Sequence, residues 1–385
     1  MIPYGTQDIN EDDIAAVVAV MRSEWLTQGP SIERFEKAIA AFCDVNYAVA
    51  VNSATSALHL ACLALGVGQG DIVWTSPNTF VASANCALYC GATIDFVDVN
   101  DRTFNIDVDL LREKLETAKR KGELPKVVVP VHFAGQSCEM KEIFKLSKQY
   151  GFRIIEDASH ALGGQYEQSP IGNCQYSDIT VFSFHPVKMI TTGEGGMAVC
   201  NNAKLAAHML RLRTHGITRD KLLMGDDIDG DWAYQQIELG QNYRITDIQA
   251  ALGESQLKRL EEFVEKRNII RAFYDQALSS LPVTLPYLQE NVDSSFHLYP
   301  VLIDSDNGLR NRKYVYDEMR KNGVGVNVHY IPVHTQPYYR ALGFKQGDFP
   351  VAEQYYEKTL SLPIFPSMTT EQTEHVVDTL SRALQ

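Results

Sequence analysis

Lys188 stands alone between apolar neighbours in Phe184-His185-Pro186-Val187-Lys188-Met189-Ile190, directly after the β-branched and aromatic run Ile179 to Phe184. A lysine carried to the end of a buried strand loses hydration. That lowers the pKa of its ammonium and frees an amine able to form a Schiff base with a carbonyl. For an arbitrary lysine an exposed loop is the commoner explanation, so the neighbouring groups must decide. Ile154-Ile155-Glu156-Asp157-Ala158-Ser159-His160 ends a second buried strand in acid. An aspartate there could ligate a metal, act as a base, or pair with a protonated pyridine nitrogen. No second carboxylate or histidine cluster at ligand spacing supports the metal. In Asn52-Ser53-Ala54-Thr55-Ser56-Ala57, small hydroxyl residues open a helix whose first N–H groups can hold a phosphate. Ser183 precedes Lys188 by five residues, and Phe80 lies just past a strand that ends at Ser76. A Schiff-base lysine, an acid for a ring nitrogen, a phosphate cup and a stacking ring are the parts a pyridoxal phosphate enzyme needs.

The elements that must position these groups alternate along the chain. Strand-like runs Tyr47 to Val51, Asp71 to Ser76, Thr93 to Val99, Lys126 to Val131 and Phe152 to Asp157 are interleaved with helical stretches at Ala57 to Leu65, Ala82 to Tyr89 and Met140 to Tyr150. This rhythm predicts an α/β fold, a mostly parallel sheet sandwiched by helices, with ligands at the carboxyl ends of the strands. Thr192-Gly193-Glu194-Gly195-Gly196 gives a turn that doubles the backbone back into Met197 to Cys200. Ile32, Phe35, Ile39 and Phe42 recur at helical spacing and read as core. After about residue 250 the pattern changes to one long charged helix, Gln249 to Leu278, then strands at Phe296 to Ile303 and Val324 to Val328, a helix at Val315 to Lys321, and a terminal helix from Thr370. The expected division is a large cofactor-binding domain over residues 1–250 and a smaller α+β domain over residues 251–385.

The 385 residues carry a net charge of −13 with 45% hydrophobic and 22% charged residues. That balance disfavours nucleic acid or an anionic membrane as partner. The N-terminus shows no signal-peptide pattern and no apolar run reaches membrane-span length. The seven cysteines, Cys43, Cys62, Cys86, Cys90, Cys138, Cys174 and Cys200, are odd in number and lack C-x-x-C spacing. A reducing cytoplasm and buried apolar thiols are expected.

Over nearly its whole length, from Trp25-Leu26-Thr27-Gln28-Gly29-Pro30 to His329-Tyr330-Ile331-Pro332-Val333-His334, the sequence resembles the DegT/DnrJ/EryC1/StrS sugar aminotransferases, fold type I pyridoxal phosphate enzymes. The likeness is carried by Thr79-Phe80-Val81-Ala82-Ser83-Ala84-Asn85, Glu156 to Ala161, Ser183 to Lys188, Thr192 to Gly196 and Asn242 to Ala251. It implies that Lys188 holds the cofactor covalently and shuttles protons, and that Asp157 pairs with the pyridine nitrogen. It also implies that His160 lies near the ring hydroxyl, that Phe80 stacks on the ring, and that Thr55, Ser56 and Ser183 bind the phosphate. Asn242 reaches that phosphate from the neighbouring subunit of a homodimer. A dehydratase branch of the family has histidine in place of the lysine, so Lys188 disfavours that reaction. Val131 to Gln136, His215 to Asp220 and Gly325 to Tyr330 point to the branch of pseudaminic acid biosynthesis that aminates C4 of a UDP-linked 4-keto-6-deoxy-N-acetylhexosamine, with glutamate as donor. Gln241 departs from the aromatic or apolar residue expected before Asn242. Another nucleotide ketosugar, dTDP-4-keto or 3-keto, is the alternative substrate, and a pyridoxal sugar dehydratase or lyase the alternative reaction. Tyr4, Trp25, Gln28, Arg244, His329 and Tyr330 are the candidate substrate contacts, with Arg213 and Lys221 as further cations and His334 and Tyr338 undecided.

Overall fold

The computed structural model describes residues 1–225, 230–304 and 310–385. Its β-branched runs align in one seven-stranded sheet: β1 (Tyr47–Val51), β2 (Ile72–Thr75), β3 (Thr93–Phe96), β4 (Val127–Val129), β5 (Arg153–Asp157), β6 (Ile179–Ser183) and β7 (Gly196–Cys200). The spatial order is β1-β7-β6-β5-β4-β2-β3. β7 pairs antiparallel with both β1 and β6, while β6, β5, β4, β2 and β3 pair parallel. Six strands therefore share one direction, and their carboxyl ends form one edge. Val127, Val128 and Val129 are all fully buried, as a strand covered by helices on both faces must be.

The doubling-back at residues 192–196 is needed to place β7. Gly196 starts that strand against the turn that follows β1, where an added Cβ would lie 2.5 Å from Ser53 C and Ala54 N. No side chain fits there, so glycine sets how closely sheet and turn approach.

Beyond the sheet, Val283–Thr284, Tyr299–Ile303 and Thr359–Leu362 form a three-stranded antiparallel sheet with Tyr299–Ile303 in the centre. It shares an apolar cluster with residues of the helices Arg312–Lys321 and Thr370–Leu384. Thr369 and Gln372 close a capping box at the start of the last helix. Ile2 packs against this same cluster, so the chain begins beside its own C-terminal half.

Two expectations are corrected. The long helix is two helices, Asp247–Leu257 and Leu260–Ala277. The break falls where Lys258 and Arg259 make short-range backbone bonds to Ser255 and Gln256 and the Arg259 guanidinium is drawn to Asp8 and Asp13. The first helix belongs to the core under the large sheet, and the second carries Ile270 and Tyr274 into the other core. Val324 to Val328 is not a strand. Its backbone is shared between two isolated bridges, Ile2 to Val324 and Asn327 to Ser361, because Gly325 packs directly under the N-terminal segment.

Candidate active site

Register brings the sequence motifs together at the carboxyl edge. Val51 pairs with Gly196, Gly196 with Ser183, and Asp157 with Val181. The turn after β1, Gly196, Ser183 and Asp157 thus stand on the four successive strands β1, β7, β6 and β5, with neighbouring strands about 5 Å apart. Helix Ala54–Ala64 starts here. Ser53 caps it by accepting from Ser56 N at 3.1 Å, leaving the N–H groups of Ala54 and Thr55 without a protein acceptor among the described residues. Unpaired N–H groups at the positive end of a helix dipole form an anion site. The Ser56 hydroxyl donates to Asn52 Oδ1 at 2.6 Å and so braces the turn. Thr55 and Ser183 are half-buried beside it.

Asp157 is buried and fixed by neutral donors. Ser83 Oγ donates to Oδ2 at 2.6 Å, and Ser159 donates to Oδ1 from Oγ at 2.6 Å and from N at 3.1 Å. Hydroxyls orient a carboxylate without cancelling its charge, so the charge stays available to a cation. Lys188 sits within that field. Burial pulls its ammonium down to about 8, against the Asp157 carboxylate, which raises it. An amine with that pKa is about one-tenth unprotonated at pH 7, on the order of a hundredfold more than an ordinary hydrated lysine.

Three imidazoles surround this pair. His160 accepts from Ala134 N at 3.3 Å through Nδ1 and faces the Tyr330 hydroxyl at 3.0 Å through Nε2. His329 bonds Ser361 Oγ at 2.8 Å through Nδ1. His297 packs 4.5 Å from the His160 ring. Burial, then the nearby Lys188 charge, depresses all three: His329 to about 3, His160 and His297 well below the ordinary histidine range. Lys188 therefore has no second cation in this imidazole cluster. Burial raises the Tyr330 hydroxyl well above its ordinary range. Phe80 is 59% exposed and lies 6.4 Å from the Tyr330 ring, so one face of it is open to a planar ligand. Tyr4 packs 5.4 Å from His329.

Other candidates lie apart. Gln28 and Arg244 line a cleft of about 240 Å³ with Arg213. Arg213 is bonded there to Glu36 Oε1 and Ala50 O, each at 2.6 Å, so its charge is already neutralised. Trp25, Lys221, Tyr338 and Asn242 are exposed. His334 is fully buried against Glu353 Oε1 at 2.8 Å and is structural. Sequence reading missed Ser83, Ser159 and His297. Ser83 and Ser159 lie inside the quoted motifs, and Ser83 falls one helical turn after Thr79, to which it bonds at 2.8 Å. His297 gave no signal beyond a lone histidine in an apolar stretch. Among the described residues no group of His, Cys, Asp or Glu gathers to hold a metal, and no helix is long and apolar enough to cross a membrane.

The residues fit pyridoxal phosphate: an amine of lowered pKa, an oriented carboxylate, an open helix N-terminus and an exposed ring share one edge. Comparison with known proteins agrees. The family model for the DegT/DnrJ/EryC1/StrS aminotransferases matches residues 7–381. The UDP-4-amino-4,6-dideoxy-N-acetyl-beta-L-altrosamine transaminase of Campylobacter jejuni is 38% identical over 388 residues, covering 100% of this chain and 98% of that protein. The pyridoxamine phosphate form of the putative sugar aminotransferase Spr1654 from Streptococcus pneumoniae superposes with a TM-score of 0.90 at 31% identity, covering 100% and 99%. Helicobacter pylori PseC, an aminotransferase of pseudaminic acid biosynthesis, gives 0.89 at 32%, covering 100% and 99%. The chain belongs to the DegT/DnrJ/EryC1/StrS aminotransferase family and is a fold type I sugar aminotransferase with pyridoxal phosphate as its cofactor.

Proposed function

We propose that this protein is a cytoplasmic homodimer that moves an amino group from glutamate to C4 of a UDP-linked 4-keto-6-deoxy-N-acetylhexosamine. The observation that carries the reading is the end-to-end likeness to a transaminase named for that sugar, at 38% identity over 388 residues.

Pyridoxal phosphate supplies an aldehyde carbon for amine exchange and a ring that accepts the electron pair released beside it. Lys188 is the residue that would hold the cofactor, and its free amine would carry a proton to or from the substrate carbon. Its depressed pKa makes it a competent base near neutrality. Asp157, oriented by Ser83 and Ser159, keeps its charge toward the ring nitrogen. Thr55, Ser183 and the first turn of helix Ala54–Ala64 hold the phosphate, with Ser56 bracing that turn. Phe80 covers one ring face and His160 lies at the ring edge.

Asn242 completes the phosphate site of the partner protomer. Its exposure in the single chain supports this, as does an open, largely apolar groove of about 650 Å³ lined by Val81, Leu88, Tyr89 and Tyr338. Tyr4, His329 and Tyr330 contact the sugar, while Trp25, Gln28 and Arg244 reach the nucleotide end. The separate apolar cluster from Ile270 to Leu384 supports a smaller domain over residues 251–385 after a cofactor-binding domain over residues 1–250. The two interlock: Ile2 packs on the smaller one, and Leu260, Phe263, Val333, Tyr339, Phe349 and Ala352 join the cores of the larger.

Adding glutamate to the loaded enzyme should bleach its visible absorbance, and the UDP-linked 4-ketosugar should restore it. Restoration only by a dTDP-linked or 3-keto sugar would overturn the substrate assignment.

A further inference from the structure

The family resemblance implies that His160 lies near the ring hydroxyl, yet both of its ring nitrogens are engaged by the protein. Ala134 N–H points at Nδ1 at 3.3 Å, so Nδ1 is the acceptor and the proton of this neutral imidazole sits on Nε2. Nε2–H then donates to Tyr330 Oη at 3.0 Å. The stacking agrees, with the two rings 6.0 Å apart and 23° from parallel. A tyrosine hydroxyl that accepts from imidazole keeps its own hydrogen to donate. Among the described residues that hydrogen has no protein acceptor: the other polar contact of Tyr330 is its backbone N–H, which donates to Asn78 Oδ1 at 3.3 Å.

Reversing the order would need the Nδ1–H tautomer, and its proton would then face the Ala134 N–H that already points at Nδ1. The imidazolium form, with both nitrogens donating, meets the same N–H and is further opposed by burial beside Lys188 and His329. Phe80, Phe133 and the His329 ring pack around Tyr330. The ionisable groups facing the pair are Lys188, Asp157, His297, His329, Tyr4 and Tyr355, and among the described residues none of them hydrogen-bonds the Tyr330 hydroxyl, whose one protein partner is His160. Hydrogen bonds in series within a low-dielectric site strengthen one another.

We infer that the run from Ala134 N–H through His160 to Tyr330 is a one-way hydrogen-bond relay, and that the Tyr330 hydroxyl, not the His160 imidazole, donates to an oxygen of the bound reactants. The acceptor is either the ring oxygen of the cofactor or the ketone oxygen of the sugar, both strong acceptors with no other donor assigned. His160 is a positioning residue in this account. The inference rests on the aminotransferase reading of the same site.

Tyr330→Phe removes the hydroxyl and keeps the ring. Two measurements on the loaded enzyme separate the acceptors. The first is a pH titration of the visible absorbance without substrate. A donor to the ring oxygen favours the deprotonated chromophore, so its loss should raise the midpoint by about one pH unit or more, the tenfold effect of a lost hydrogen bond to a charged oxygen. The second follows each half-reaction in single turnover. A donor to the ketone oxygen predicts at least about a tenfold slower reaction with the UDP-linked ketosugar and an unchanged reaction with glutamate. An unmoved titration with unchanged half-reactions, or with both half-reactions slowed equally, would overturn the relay. Tyr355→Phe, which deletes a hydroxyl from a ring 5.7 Å from Phe133, should move neither measurement. If Tyr330→Phe loads no cofactor, 3-fluorotyrosine at position 330 serves instead. Its more acidic hydroxyl should lower the midpoint or speed the ketosugar half-reaction; no change in either would refute the relay. Failure of any ketosugar to react with the parent enzyme would refute the substrate assignment, and the titration would still test the relay.

Discussion

Glu156 and Asp157 are consecutive on β5 and equally buried, at 6% and 5% exposure, yet they do different work. Alternation along a strand sends their side chains to opposite faces. Glu156 meets His132 Nε2 at 2.8 Å, Thr180 Oγ1 at 3.0 Å and the Ser177 hydroxyl. Burial would raise its pKa, but the His132 imidazole and the two hydroxyls outweigh that and hold it below the usual carboxylate range. His132 in turn accepts from Cys138 N at 3.1 Å, so the network closes on itself. Asp157 is held by serine donors alone and looks toward Lys188. Burial therefore does not distinguish a catalytic acid from a structural one. What does is whether the carboxylate faces a cation: Asp157 lies beside Lys188, and Glu156 is enclosed by His132, Ser177 and Thr180.

That contrast can be broken from either side. Lys188→Ala removes the amine on which the Asp157 face depends. It should abolish both the visible absorbance band and turnover, and a variant with normal rates would remove Lys188 from the mechanism. Asp157→Asn keeps the hydrogen-bond geometry and deletes the charge. It should leave cofactor bound while lowering kcat by about 10²-fold or more, the cost of losing a placed electrostatic group. A third test reads the lysine itself. Labelling of the apoenzyme at Lys188 by an amine-reactive reagent, followed by peptide mass spectrometry, should rise with pH through a midpoint near 8. The sign follows from depression of the pKa, which adds free amine as pH passes 8; a midpoint above 10 would place Lys188 in an ordinary hydrated setting. The smallest effect on rate belongs to Glu156→Gln. It should change kcat by less than about threefold but cost about 1–3 kcal/mol of stability, because His132 loses its charged acceptor. A carboxylate depressed by folding stabilises above its unfolded pKa and loses that contribution as pH falls through the folded value. Glu156→Gln should therefore also flatten the acid limb of the stability profile, as read by thermal melts between pH 3 and 7.

The same contrast explains how much the sequence could disclose. Lys188, Asp157 and the turn at Asn52 to Ser56 each end or follow a β-branched run, so strand prediction alone carried them to one sheet edge. Ser83 could not be found that way. It reaches Asp157 from a helix beyond β2, and only the packing of that helix on β2, β3 and the helix Ala54–Ala64 makes them neighbours. His334 could not be decided from sequence, and its full burial with a 2.8 Å bond to Glu353 shows it to be structural. The long helix was misread because helical propensity persists through Lys258 and Arg259, and what breaks it is a tertiary pull from Asp8 and Asp13. Trp25, Gln28 and Arg244 could be named as candidate substrate contacts, but the sequence could not say where they sit: Gln28 and Arg244 line a cleft with Arg213, and Trp25 is exposed.

The most direct test of the central claim is isotope transfer. The loaded enzyme is incubated with ¹⁵N-glutamate and the UDP-linked 4-keto-6-deoxy-N-acetylhexosamine, and the sugar is read by ¹H–¹⁵N and ¹³C NMR. The account predicts ¹⁵N bonded to C4, and no transfer with Lys188→Ala. A sugar that emerges without ¹⁵N from enzyme carrying its full complement of cofactor, or with the label at C3, would contradict it.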